Sequence, residues 1–148
     1  MNKKQVYIYD VLAKLFSKKG LFEVGSLVSE YDTMLSGIQI RRPDIVYLTN
    51  EQIQLTKKNQ DLIPDFVIII ISETDLFYKI EDKITEYFKA GAGDVPLKVI
   101  WNIVPEHKLV YIYTSRKTVK ICIDNDTCSA DPVLPDFAIA VNEIFTEE

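Results

Sequence analysis

An unbroken run of six apolar residues at positions 66–71 most limits the folds open to this chain. The run reads Phe-Val-Ile-Ile-Ile-Ile and lies between Pro64-Asp65 and Ser72. A strand with one face in water alternates apolar and polar residues, whereas a strand covered on both faces does not. The run therefore predicts the central strand of a sheet with other elements packed on both sides. With 148 residues, the chain is long enough for such a core, and we expect one domain over residues 1–148.

Apolar spacing predicts the remaining elements. Helical spacing predicts a helix over residues 4–19 that ends at Gly20, and a second helix after a cap at Thr74 or Asp75 that ends at Gly91. A capping signal at Thr49 predicts a short helix over residues 51–58. We also expect strands over residues 21–29, 38–48, 99–104, 109–113 and 118–123, and a short closing helix over residues 137–145. The expected fold is α/β, a central mixed β-sheet flanked by helices.

Two of the predicted strands open with Pro-Asp, at Pro43-Asp44 and Pro64-Asp65. An aspartate at the start of a strand can bind a metal ion, but Pro-Asp is also ordinary turn chemistry. Two carboxylates and a lysine that converge on a strand pair can hold Mg²⁺, which stabilises charge on a phosphate and lowers the pKa of an attacking water. Asp44 therefore has two interpretations, a metal ligand or a turn residue.

Several segments in a fixed order resemble one known family. They run Pro-Asp-Ile-Val-Tyr from Pro43, Pro-Asp-Phe-Val-Ile-x-Ile-Ile-Ser from Pro64, Asp82-Lys83-x-x-x-Tyr87-x-x-Ala90-Gly91, and Val-Ile-Trp-x-Ile-x-Pro from Val99. The strand at residues 109–113 follows. Together they resemble the Uma-type bacterial family of restriction endonucleases, a branch of the PD-(D/E)XK nuclease superfamily. The resemblance implies a restriction-endonuclease-like core, DNA as the substrate, and Mg²⁺ as the cofactor of an active member.

The resemblance also implies roles for individual residues. Asp44 matches the first metal-binding aspartate, and Lys83 matches the catalytic lysine, displaced from the strand onto the following helix. The second acidic ligand is expected in the central strand, at the position of Ile69. The family tends to carry a longer N-terminal region with a further acidic residue, so the resemblance implies that this chain begins at or after the first core helix.

Neighbouring carboxylates do not replace the missing one at Ile69. Asp65 and Glu73 each lie four residues from Ile69, which is about 13 Å along a strand, whereas Mg²⁺ binds its ligands at about 2.1 Å. Asp75 is a candidate helix cap. We therefore expect Mg²⁺-dependent phosphodiester hydrolysis by Asp44 and Lys83 to be impaired or lost.

Composition leaves the partners open. The net charge of −5 is not that of a protein that binds nucleic acid over its whole surface, although Arg41, Arg42, Lys79, Lys83 and Lys89 could form a local basic cleft. No apolar run approaches the roughly 20 residues of a membrane helix, so we expect a cytoplasmic protein without a membrane partner. Three functions remain: a nuclease, a non-catalytic module that binds nucleic acid or protein, and a homodimerisation module built on the strand surface around Tyr111 and Tyr113.

Overall fold

A computed structural model describes residues 1–35, 39–60, 62–72, 75, 77–90 and 97–146. The helices are α1 (Lys3–Lys18), α2 (Asn50–Thr56), α3 (Phe77–Ala90) and α4 (Val141–Ile144). The strands are β1 (Gly25–Ser29), β2 (Thr33–Leu35), β3 (Gln39–Arg41), β4 (Ile45–Thr49), β5 (Phe66–Ile70), β6 (Val99–Val104), β7 (Leu109–Tyr113), β8 (Val119–Ile123), β9 (Thr127–Ala130) and β10 (Leu134–Ala140). No described helix is long and apolar enough to cross a membrane.

Six of the described strands form one mixed sheet in the order β1-β4-β5-β6-β7-β8. β5 and β6 are parallel, and every other neighbouring pair of this sheet is antiparallel. α3 makes the connection between the parallel strands, which need a long crossover. The hairpins β2–β3 and β9–β10 form two smaller sheets. The expected α/β fold with a central mixed sheet is confirmed.

β5 lies inside this sheet and all five of its residues are buried, as the apolar run predicts. Phe66, Ile68 and Ile70 belong to the core shared with α1 and β10. Val67 and Ile69 belong to the core shared with α3. The alternation of β5 side chains between these two cores explains why no polar residue interrupts the run.

The predicted closing helix over residues 137–145 is wrong. Residues 134–140 are the strand β10, and the helix α4 covers only Val141–Ile144. Phe137 and Ile139 are both buried, two positions apart, which is the period of a strand. Phe137 stacks on Trp101 of β6 with ring centroids 5.3 Å apart and planes 8° apart. Contacts distant in sequence therefore decide the conformation of this segment.

One predicted strand is shorter than expected, and another is divided into two strands. In the segment 21–29, Gly20 has a φ of 71° and a 3₁₀ turn over Leu21–Glu23 follows, so β1 begins only at Gly25. In the segment 38–48, β3 ends at Arg41 and β4 begins at Ile45, with Pro43 between them, which lacks a backbone N–H. α1, α2 and the strands β6, β7 and β8 are confirmed to within two residues. Ile38, Thr74 and Gly91 lie outside the described residues.

Candidate functional site

Asp44 lies at the end of the β4–β5 pairing. Ile45 pairs with Ile68 in the antiparallel register, so Asp44, one residue earlier, lies opposite Ile69. The Asp44 Oδ2 accepts a hydrogen bond of 2.7 Å from the backbone N–H of Ile70. The Asp44 carbonyl accepts a bond of 3.0 Å from the backbone N–H of Glu30, which follows β1. Asp44 thus joins the ends of three neighbouring strands.

A side chain of α1 binds the same residue of β5. The Gln5 Nε2 donates a hydrogen bond of 2.8 Å to the carbonyl of Ile70. Gln5 also forms a capping box with Asn2 at the start of α1. Both backbone groups of Ile70 are therefore bound by side chains, from Asp44 and from Gln5. This role of Gln5 is not predicted from the sequence, although the Asn-x-x-Gln spacing of a capping box is a signal for its place at the start of α1.

Lys83 lies on α3, close enough to Asp44 for its charge to act on the carboxyl group. Burial raises the pKa of Asp44 above its ordinary value of 3.8; the hydrogen bond from Ile70 and the charge of Lys83 oppose that rise, and the charges of Asp75 and Glu30 add to it. Asp44 and Lys83 do not form a direct ion pair in the described part of the chain. The structure brings the two predicted residues into one region without a direct ion pair.

Ile69 occupies the position at which the family resemblance implies a second acidic ligand. Its side chain is only 6% exposed and belongs to the apolar core that includes Ile80 and Ile84 of α3. Residue 69, which lies opposite Asp44 in the register, therefore carries hydrocarbon that contributes to the packing of α3 on the sheet.

The other carboxylates near Asp44 are bound elsewhere. The Glu30 carboxylate lies 2.7 Å from the amino group of Met1, and this hydrogen bond lowers the pKa of Glu30. The Asp75 Oδ2 accepts bonds of 2.8 Å from the backbone N–H and 3.2 Å from the Oγ of Ser72. Asp65 precedes the opposite end of β5, and Glu73 lies outside the described residues. Among the residues that the structure describes, no group of three or more His, Cys, Asp or Glu could hold a metal ion.

Asn102 is a buried polar residue next to this region. It pairs with Ile69 in the parallel register of β5 and β6 and is only 2% exposed. Its Oδ1 has no hydrogen-bond partner among the described residues. A buried amide oxygen without a partner costs folding free energy. The sequence analysis missed Asn102, although it interrupts the otherwise apolar segment 99–104.

A cavity of about 550 Å³ lies where the parallel strands β5 and β6 end. Its lining includes Lys3, Lys4, Ser72 and Glu106, and neither Asp44 nor Lys83 belongs to it. The residues at the predicted site are thus not lining residues of this cavity.

The predicted basic cleft is only partly within the described side chains. Arg42 forms two hydrogen bonds with the Asp32 carboxylate, of 2.7 and 3.3 Å, and this contact raises the pKa of Arg42. Lys79 is exposed on α3. The side chains of Arg41 and Lys89 lie outside the described part of the structure. The Arg42 guanidinium therefore pairs with the carboxylate of a neighbouring aspartate.

Comparison with known proteins decides the family. Residues 4–142 match Uma2, a family described as "Putative restriction endonuclease". The chain belongs to the Uma2 family. A solved structure, a putative nuclease belonging to DUF820 from Anabaena variabilis ATCC 29413, is similar with a TM-score of 0.77 and 17% sequence identity, over 98% of this chain and 82% of that one. At that identity the similarity shows the fold alone. No curated protein matches this Uma2 chain.

The recognition of the family and the expected nuclease-like fold are therefore confirmed. The roles of Asp44 and Lys83 in metal binding and catalysis remain predictions.

Proposed function

We propose that this Uma2 chain keeps the endonuclease fold but lacks the divalent-ion site, and therefore does not hydrolyse phosphodiester bonds. One observation supports this proposal above the others: Asp44 lies opposite the apolar, buried Ile69, and its Oδ2 accepts a hydrogen bond of 2.7 Å from the backbone of its own sheet. In an active member of the family, two acidic side chains would meet at this point.

The ligand chemistry of Mg²⁺ supports the same conclusion. The ion requires near-octahedral oxygen coordination at about 2.0–2.1 Å and binds proteins through one or two carboxylates and several waters. Asp44 has one oxygen bound to Ile70, and the carboxylates of Glu30 and Asp75 bind Met1 and Ser72. The side chain at the remaining family position is that of Ile69. These residues do not fit a magnesium site.

Lys83 has a simpler role in this proposal. Its positive charge acts on the partly buried Asp44 carboxyl and favours the ionised form, which burial disfavours. Lys83 then stabilises a structural carboxylate, whereas a catalytic lysine would orient water or neutralise the transition state.

The test is cleavage of supercoiled plasmid DNA and of a short duplex with Mg²⁺ or Mn²⁺. We expect no cleavage by the wild-type chain. Cleavage that Asp44→Ala removes, and that Asp136→Ala on the exposed surface of β10 leaves unchanged, would overturn the proposal. A contaminating nuclease would survive both substitutions.

Membership of the family suggests DNA as a partner. A protein that has lost hydrolysis can still bind DNA. Binding of the same duplex is measured without divalent ions at several salt concentrations. A non-catalytic DNA-binding module gives an affinity that falls with salt, because phosphate contacts release counterions. Association with neither DNA nor divalent ions favours the third candidate from the sequence, a homodimerisation module.

A further inference from the structure

β8 presents apolar side chains at an edge of the main sheet. Among the described strands it pairs only with β7. Val119, Ile121 and Ile123 are 45%, 56% and 48% exposed. They alternate along β8 and therefore share one face of the sheet, beside Tyr111 and Tyr113 of β7. An exposed apolar edge strand is a template for pairing with another strand.

Because hydrogen-bonded pairs alternate with non-hydrogen-bonded pairs between β7 and β8, some backbone groups of β8 point to this free edge. The N–H of Thr114 donates to the carbonyl of Thr118, so these two residues form a hydrogen-bonded pair. Hydrogen-bonded and non-hydrogen-bonded pairs alternate along antiparallel strands. The N–H and C=O of Ile121, three residues after Thr118, therefore point away from β7. Ile123 has the same phase, and its N–H and C=O bind Asp126 in the following turn at 3.0 and 2.9 Å.

The pattern of β8 is complementary to itself when two copies run antiparallel. With a two-fold axis at Ile121, residue numbers that sum to 242 lie opposite one another. Val119 then lies opposite Ile123 of the second copy, and the apolar side chains of both copies form one row. Exposed Arg116 and Lys117 come before β8 in the chain, and exposed Asp124 and Asp126 follow it. The basic start of each strand meets the acidic end of the other.

We propose that β8 is a homodimer interface in which two copies pair antiparallel about a two-fold axis at Ile121. Such an interface is isologous and uses the free edges of both β8 strands, so it closes at two copies. The apolar row, the free N–H and C=O of Ile121 and the opposite charges that flank β8 favour a second copy of this chain over an unrelated protein. The N–H and C=O of Ile123 stay bound to Asp126, so the backbone hydrogen bonds between the copies form at Ile121.

Neighbouring registers are less favourable. An axis at Lys120 places two lysines directly opposite each other, and like charges in that position destabilise a strand pair. An axis at Val119 leaves Ile121 and Ile123 with no residue of the second β8 opposite them and breaks the apolar row. In the register about Ile121, Lys120 lies opposite Cys122, so no like charges meet.

Sedimentation equilibrium of the full chain tests the association. We expect a dimer for the wild type and self-association weakened at least about tenfold by Ile121→Lys, because two lysines would then meet at the axis. Val6→Lys is the matched control, since Val6 is 52% exposed on α1, and it should leave the dimer unchanged. A wild-type monomer at every concentration, or equal weakening by both variants, would overturn the proposal. Near-UV circular dichroism identifies any variant that does not fold.

Engineered cysteines test the register without relying on disruption. Opposed residues of a hydrogen-bonded pair have Cα atoms about 5.5 Å apart, within the range of a disulfide. Ile121→Cys should therefore form a disulfide-linked dimer under mild oxidation. Val119→Cys should not form one alone, because its copies lie about 13 Å apart, but should link to Ile123→Cys when the two proteins are mixed. Linkage of Val119→Cys to itself, or no linkage by Ile121→Cys, would contradict the proposed register. The wild type, in which Cys122 and Cys128 are buried, is the control for linkage through the native cysteines.

Discussion

The Oδ2 of Asp44 lies 2.7 Å from the backbone nitrogen of Ile70 and accepts its hydrogen bond. Through this bond, an aspartate that is predicted from the sequence to be a metal ligand can serve the fold instead. It occupies a donor of β5 at the point where the pairing with β4 ends. The carboxylate is partly buried, so its ionisation has a free-energy cost that the hydrogen bond and Lys83 only partly offset.

Asp44→Asn should increase stability at neutral pH. The folded-state pKa of Asp44 is raised, mainly by burial, so the folded protein loses stability relative to the unfolded chain as pH rises from the ordinary value of 3.8 through the folded value. Asparagine can still accept the bond from Ile70 and does not ionise. Urea unfolding from about pH 3 to pH 7 should show an advantage of the variant that grows with pH. An advantage independent of pH, or the same profile for the exposed control Asp136→Asn, would contradict this account.

Asn102→Leu should raise the free energy of unfolding by about 1–3 kcal/mol, because it removes a buried amide oxygen that has no partner among the described residues. Leucine has the same branching at Cγ and suits the apolar surroundings of β6. Thermal unfolding should shift upward by about 2–4 °C for each kcal/mol. Asn142→Leu is the control, since the exposed Asn142 side chain has a hydrogen-bond partner in Asn125. A stability loss in Asn102→Leu would mean that the amide is needed where it lies.

The sequence predicts those parts of the fold that local patterns determine. The run at residues 66–71 identifies β5 as central, because a strand covered on both faces has no position for a polar side chain. The helical stripe with Ile80 and Ile84 identifies α3 and its buried face. These patterns also lead to the family, and thereby to Asp44, Lys83 and Ile69.

Features that depend on distant contacts could not be predicted in the same way. The segment of β10 is predicted to be helical from its sequence. Its strand conformation depends instead on contacts of Phe137 with Trp101 and Phe16, which lie far from it in the sequence. The bond of Gln5 to Ile70 joins residues 65 positions apart. Whether the Oδ1 of Asn102 has a hydrogen-bond partner depends on the groups that surround it in the fold. The spacing of residues in the sequence does not contain that information.

Phe137→Ala should destabilise the protein by about 3–5 kcal/mol, the usual cost of truncating a buried aromatic side chain. Phe137 is fully buried and contacts the rings of Trp101, Phe16 and Phe66. Phe22→Ala, at a ring that is 44% exposed, should cost clearly less. Urea unfolding of both variants provides the comparison. Equal losses would show that β10 does not form part of the core.

Gly25→Ala should cost about 2–3 kcal/mol, since an added Cβ would lie 2.5 Å from the carbonyl oxygen of Leu48 and 2.6 Å from the ring of Tyr47. Gly20→Ala is an instructive control: it meets no atom within 4 Å but has a φ of +71°, which costs an alanine about 1–2 kcal/mol. Thermal unfolding should rank Gly25→Ala as the more destabilised. The reverse order would contradict the close packing of β1 on β4.

Calorimetric titration of Mg²⁺ and Mn²⁺ into the wild type, Ile69→Glu and Ile69→Leu tests whether the apolar side chain at residue 69 is the reason that the divalent-ion site is missing. A glutamate at residue 69 supplies a second carboxylate opposite Asp44, whereas leucine preserves the apolar character of the position. The account predicts saturable ion binding by Ile69→Glu alone, accompanied by an ion-dependent rise in its unfolding temperature. Saturable binding by the wild-type chain that Asp44→Ala abolishes would contradict it.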